Sequence, residues 1–115
     1  MSNFYSAEAF FESWKIGVQI AGPVWFGDGL DPSSAETKWD LVPRVDEITA
    51  RIGTMSSGER VFIAAMVSFY NDDIGGTLLQ RVIGSKRIGL ADIASSLDER
   101  RRRVIGDLML SYCGW

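Results

Sequence analysis

A chain of 115 residues that is 46% hydrophobic and 11% aromatic is long enough for one core, too short for two, and too apolar to remain disordered. With no histidine and a single cysteine, Cys113, it excludes histidine-based general bases, nucleophilic triads, Cys–His dyads, His- or thiolate-based zinc sites and an internal disulfide. The net charge of −3 is unevenly spread: residues 81–103 hold seven Lys and Arg against three Asp and Glu, a local +4, which leaves −7 for the rest.

The longest unbroken apolar stretch, Val61 to Val67, is far short of the roughly 18–20 residues that cross a bilayer. Met1-Ser2-Asn3-Phe4-Tyr5 has no basic region ahead of an apolar one, as a signal peptide requires. The expectation is one cytoplasmic, all-α domain of five or six short helices spanning residues 1–115.

In chain order, Ala7 to Ile20 carries Phe10, Trp14 and Val18 at spacing four, with Ala21 three residues further on and Glu8, Glu12, Lys15 and Gln19 turned away, and reads as an amphipathic helix stopped by Gly22-Pro23. Pro23 to Ser34 is rich in Gly and Pro and reads as a loop carrying Trp25 and Phe26. Trp39 to Ile52 resumes helical spacing through Leu41, Val45, Ile48 and Ile52, with Pro43 placed in the first turn, where its missing N–H costs little. Ser56 and Glu59 have capping-box spacing and open Arg60 to Tyr70, a helix apolar on nearly every side and therefore expected at the centre of a bundle. A buried strand is the competing assignment for that run. Asn71-Asp72-Asp73 and Gly75-Gly76 then predict a break before a short helix over Thr77 to Ile83.

Leu90 to Leu97 is another short helix, and Asp98 caps the last one, whose core stripe is read as Val104, Ile105, Leu108, Met109 and Tyr112. Gly114 fits the position just past that helix, with Trp115 folding back on Leu110 as a structural plug.

The basic segment is the first candidate site. Four consecutive helical residues sweep ~300° of circumference, so Arg100 to Arg103 cannot form one face. Arg101 is expected to lay its stem along the core edge, Arg102 and Arg103 to pair with Asp98 and Glu99 four residues earlier, and Arg100 and Arg103 to share a face. A solvated, salt-bridged helix start explains this pattern. The sharper reading is that Lys86, Arg87, Arg100 and Arg103 grip an acidic partner. A helix-turn-helix over 86–103 and beyond would place Ile93, Ala94, Leu97 and Val104 inward. Asp98 stands where that turn normally has glycine, however, and Glu99 and Asp107 replace apolar residues. A pI of about 4.8 also opposes phosphate binding.

Trp25 and Phe26 are the second candidate, either as a lid over the core or as hydrophobic anchors for a partner. Asp28, Asp31 and Glu36 lack calcium-loop spacing. Gly75-Gly76-Thr77 lacks the lysine of a phosphate loop, and Ser56 and Ser57 lack an activating histidine. No metal, no cofactor and no catalytic residue is expected.

The run Leu90-Ala91-Asp92-Ile93, then Leu97-Asp98-Glu99-Arg100-Arg101 leading to Leu108 and Gly114-Trp115, resembles the ends of small helical accessory proteins of bacterial mobile elements: conjugative islands, plasmids and phages. The likeness covers about the last 30 residues. It implies action by binding a host or competitor protein, as the small acidic inhibitors of CRISPR surveillance complexes do. The expected function is therefore non-enzymatic protein binding through Lys86, Arg87, Arg100, Arg103, Trp25 and Phe26. A variant has the acidic surface, including Glu8, Glu12, Asp46 and Glu47, mimic nucleic acid. The alternative is a DNA-binding regulator using 86–103. Pairing with a second copy is compatible with either, since a surface bearing both charges is self-complementary.

Overall fold

Phe10, Trp14 and Val18 stand four residues apart, and a helix is the conformation that lines all three on one side. The computed structural model describes residues 3–115, with side-chain surroundings from residue 6 onward; Met1 and Ser2, in the segment read above against a signal peptide, lie outside the described residues. Helix α1 (Asn3–Ala21) buries all three residues and ends at Gly22-Pro23. It runs along the C-terminal helix α6 (Glu99–Ser111) and touches the central helix α3 (Ser57–Tyr70). The three meet at Gly17, where a Cβ would stand 2.7 Å from Met66 Cε and 3.1 Å from Val104 Cγ1.

Helix α3 opens as expected: Ser56 Oγ accepts the Glu59 N–H at 3.3 Å, and Val61 to Val67 are all buried. The run is a helix and not a strand, with the other elements packed around it. Among the described residues there are six α-helices and no strand, only a single bridge between Phe26 and Pro43. The buried side chains form one cluster, and the radius of gyration of 13.3 Å matches the ~13 Å expected of a close-packed chain this long. No helix among the described residues is long and apolar enough to cross a membrane.

Three expected elements differ. Trp39 to Ile52 is not one helix: Lys38–Leu41 is a 3₁₀ turn, and α2 covers only Val45–Arg51. Pro43 is the cause, because it forces the preceding Val42 out of helical conformation (φ −67°, ψ 136°). The extended pair then bonds to the aromatic loop, with Gly27 N–H donating to Val42 O at 2.9 Å and Arg44 N–H to Trp25 O at 2.8 Å. Pro43 is thus buried beside Phe26 and outside the helix. Second, α4 spans Asp72–Ile83, five residues earlier than the Thr77 start expected, because Asn71 caps it by accepting the Ile74 N–H at 3.0 Å. Gly75 and Gly76 lie inside the helix. A Cβ at Gly75 would collide with the Ser68 backbone, so glycine here lets α4 lie directly against α3.

Third, after the short helix α5 (Leu90–Ser95), α6 ends at Ser111 with Tyr112 already extended. Met109 and Tyr112, assigned above to the core, are 52% and 48% exposed. Trp115 does not return to Leu110, which is 87% exposed. It plugs the core at another point, its ring 4.8 Å from Trp14, 5.3 Å from Tyr70 and 5.9 Å from Trp39, with Lys38 Nζ donating to Gly114 O at 3.1 Å.

Candidate functional site

The aromatic loop is a lid. Phe26 has no exposed surface and meets Trp14 edge-on at 5.8 Å, so in the folded chain it has no surface to offer a partner. Trp25 is half-buried against the same core. The anchor expected at Phe26 is corrected accordingly, while Trp25 keeps part of its surface; the bonds from Gly27 and Arg44 fasten this loop inward.

The arginines divide by what they touch. Arg101 lies over the Phe62 ring at 6.0 Å and reaches Asp98 at 2.7 Å, its stem on the core edge as the helical spacing predicts. The expected Asp98–Arg102 pair does not form. Arg102 Nε instead donates to Ala94 O at 2.8 Å and Leu97 O at 3.0 Å, bracing the turn between α5 and α6. Arg103 does face Glu99, at 3.8 Å and in the open, where such a pair contributes little. Elsewhere Arg81 donates to Thr49 O, Arg60 to Met55 O and Arg44 to Val24 O. Lys86, Arg87 and Arg100 are exposed and, among the described residues, have no side-chain partner. Arg100 and Arg103 share a shallow cleft with Ile16 and Ile20 of α1. Lys86 and Arg87 sit on the α4–α5 turn, outside it.

A site that the sequence reading missed lies on the other side of α6. A groove of about 570 Å³ runs between α5 and α6 over the second half of α3, and is lined chiefly by Leu90, Ile93, Phe69, Ile105, Met109 and Tyr112. Leu90 is 69% exposed at its mouth. Helix α6 therefore carries two apolar faces. One, with Val104 and Leu108, is buried; the other, with half-buried Ile105 and exposed Met109, faces the groove. The spacing of three and four was legible for both, but both were read as a single core stripe.

The ends of the groove differ in charge. Arg102 lines the end nearest the α5–α6 turn, held by its Nε while its terminal nitrogens have no acceptor among the described residues. Asp72 lines the groove too, at the opposite end: it begins α4 just past α3, and the end of α3 meets the end of α6 where the Phe69 and Tyr112 rings lie 5.7 Å apart. Asp72 forms no ion pair among the described residues.

The acidic loop, with Asp28, Asp31, Glu36 and Asp40, is organised around its own backbone. Asp28 accepts the Leu30 N–H, Asp31 the Ser33 N–H, and Asp40 both the Glu36 and Thr37 N–H groups. Those backbone donors, Ser33 for Asp31 and Thr37 then Glu36 for Asp40, hold both carboxyls below their ordinary value. Among the described residues no cluster of carboxylate and thiol groups suits a metal ion. No protein-family model, curated protein or solved structure matches this chain, and the functional reading rests on the chemistry of these surfaces.

Proposed function

We propose that the protein is a non-enzymatic binding module whose basic pole, Lys86, Arg87, Arg100 and Arg103, engages an acidic protein surface. The observation that carries this reading is the division of labour among the cations. Most Lys and Arg side chains are spent on backbone carbonyls or close carboxylates within the chain, whereas among the described residues Lys86, Arg87, Arg100 and, outside the pole, Arg51 have none, and Arg103 has only a loose exposed pair. A cation held in water on an acidic protein is available for steering and for contact pairs with an opposite charge. The resemblance of the last third to mobile-element accessory proteins gives the partner a class: a protein of a host or competitor complex in a bacterial cytoplasm.

The DNA-binding alternative calls on the same segment. It is the weaker reading because Arg101 is committed to Asp98, Asp98 and Glu99 stand beside the arginine run, and a pI of about 4.8 opposes phosphate binding. Capture of partners from a bacterial lysate at low salt, with and without nuclease, separates the two. The protein-binding reading expects a protein recovered in both samples, and its loss when Lys86, Arg87, Arg100 and Arg103 are all changed to Glu. Recovery only without nuclease, with a steep salt dependence, transfers the function to nucleic acid. Capture that survives the charge reversal removes the basic pole from the reading and leaves the acidic-mimic variant.

A further inference from the structure

Helix α6 contains a glycine for which its own chain has no use. At Gly17 and Gly75 a Cβ would collide with a neighbouring helix, but at Gly106, as at Gly76, it would meet nothing within 4 Å, although glycine inside a helix is less stable than alanine; of the two only Gly106 borders the groove. Gly106 lies on the open face of α6, among the groove residues Arg102, Ile105 and Met109. A glycine amid apolar residues on an uncovered helix face allows close approach by another backbone.

We infer that this other backbone is α6 of a second copy, crossing antiparallel at Gly106 and closing both grooves into a two-fold dimer. Charge complementarity selects this occupant. Arg102 stands four residues before Gly106, about 6 Å along the helix axis. An antiparallel copy brings it level with the stretch four residues after Gly106, the end of the groove where Asp72 stands. The two-fold axis forms the Arg102–Asp72 pair twice. The last turn of α6 has no basic residue, so the incoming Arg102 also meets the negative end of a helix dipole. A parallel arrangement would set Arg102 against Arg102. Lys86, Arg87 and Arg100 do not line the groove, and their role in partner capture is separable from dimer formation.

Sedimentation equilibrium of the whole chain at micromolar concentration is expected to give twice the 12.7 kDa chain mass. Met109→Glu is expected to give the single-chain mass with unchanged helical circular dichroism. If that variant fails to fold, Asp72→Arg, at an exposed helix start, serves instead and raises the dissociation constant at least about tenfold. Gly106→Leu, which puts a side chain where the two backbones approach, is likewise expected to give the single-chain mass, while Gly76→Leu is not. A single-chain mass for the unaltered protein, or a dimer untouched by the groove substitutions, overturns the arrangement. Reversal of Lys86, Arg87 and Arg100 to Glu leaves the dimer mass unchanged, so loss of partner capture and loss of the dimer are read independently.

Discussion

Two tryptophans share one aromatic cluster and differ in what their indole N–H does. Trp14 donates to Leu41 O at 2.9 Å in the interior, whereas the Trp115 N–H is buried without an acceptor. Trp14→Phe leaves the carbonyl unpaired and a gap beside it, and is expected to lower the unfolding free energy by about 2–4 kcal/mol. Trp115→Phe removes a donor that was already unpaired, and should cost about 1 kcal/mol or less. Urea denaturation of the two variants measures the difference, and equal losses would show that the Trp14 bond has no net value. Asp98 acts locally as well: its carboxylate accepts the Arg101 N–H at 2.9 Å, and Asp98→Ala should lower the melting temperature through the lost cap.

At the scale of elements, the adjacent glycines of α4 have opposite roles. Gly75→Ala pushes a methyl group into the Ser68 backbone and is expected to destabilise by at least 1–3 kcal/mol, while Gly76→Ala meets open space and should be neutral or stabilising by up to about 1 kcal/mol. Thermal melts of the pair test the assignment of α4's start. The sequence carried the helices with strong local signals: the Phe10–Trp14–Val18 stripe, the Ser56–Glu59 cap and the apolar run behind it. It misled where a local rule yields to a distant partner. Gly75-Gly76 reads as a break until Ser68 is seen beneath it, and Pro43 reads as a helix start until Phe26 is seen beside it. Arg102 has a carboxylate at the right helical spacing, yet the Ala94 and Leu97 carbonyls lie closer to its Nε. The basic pole was legible as composition. The groove was not, because deciding which of α6's two apolar faces is covered requires the position of α1.

At the scale of the whole molecule, pH dependence follows from the absence of histidine. No side chain with an ordinary pKa titrates between about pH 5 and 8, so the melting temperature is expected to be flat there. In acid it is not. The Arg101 backbone N–H, against desolvation and with help from the Arg101 charge, lowers Asp98 below its ordinary 3.8, and Ser56 Oγ lowers Glu59 below 4.5. A carboxyl whose folded pKa is lowered adds stability above its unfolded value, and that stability disappears as pH falls through the folded one. Melts below pH 4 should therefore drop, and Asp98→Asn and Asp40→Asn should flatten the acid limb. An unchanged acid limb in both variants would place the sensitivity elsewhere.

The Trp14–Trp115 contact joins positions near opposite ends of the sequence, and it bears on how the chain folds. Along the chain the cover of α1 comes in stages: Phe26 and Leu41 close on Trp14 from nearby, whereas Phe69, Tyr112 and Trp115 reach Phe10 and Trp14 from far along the sequence. The aromatic stripe is therefore only partly covered until α3 and the segment after α6 are in place. Its last contact closes a loop of about a hundred residues, which makes completion of this aromatic cluster a late, long-range step of folding.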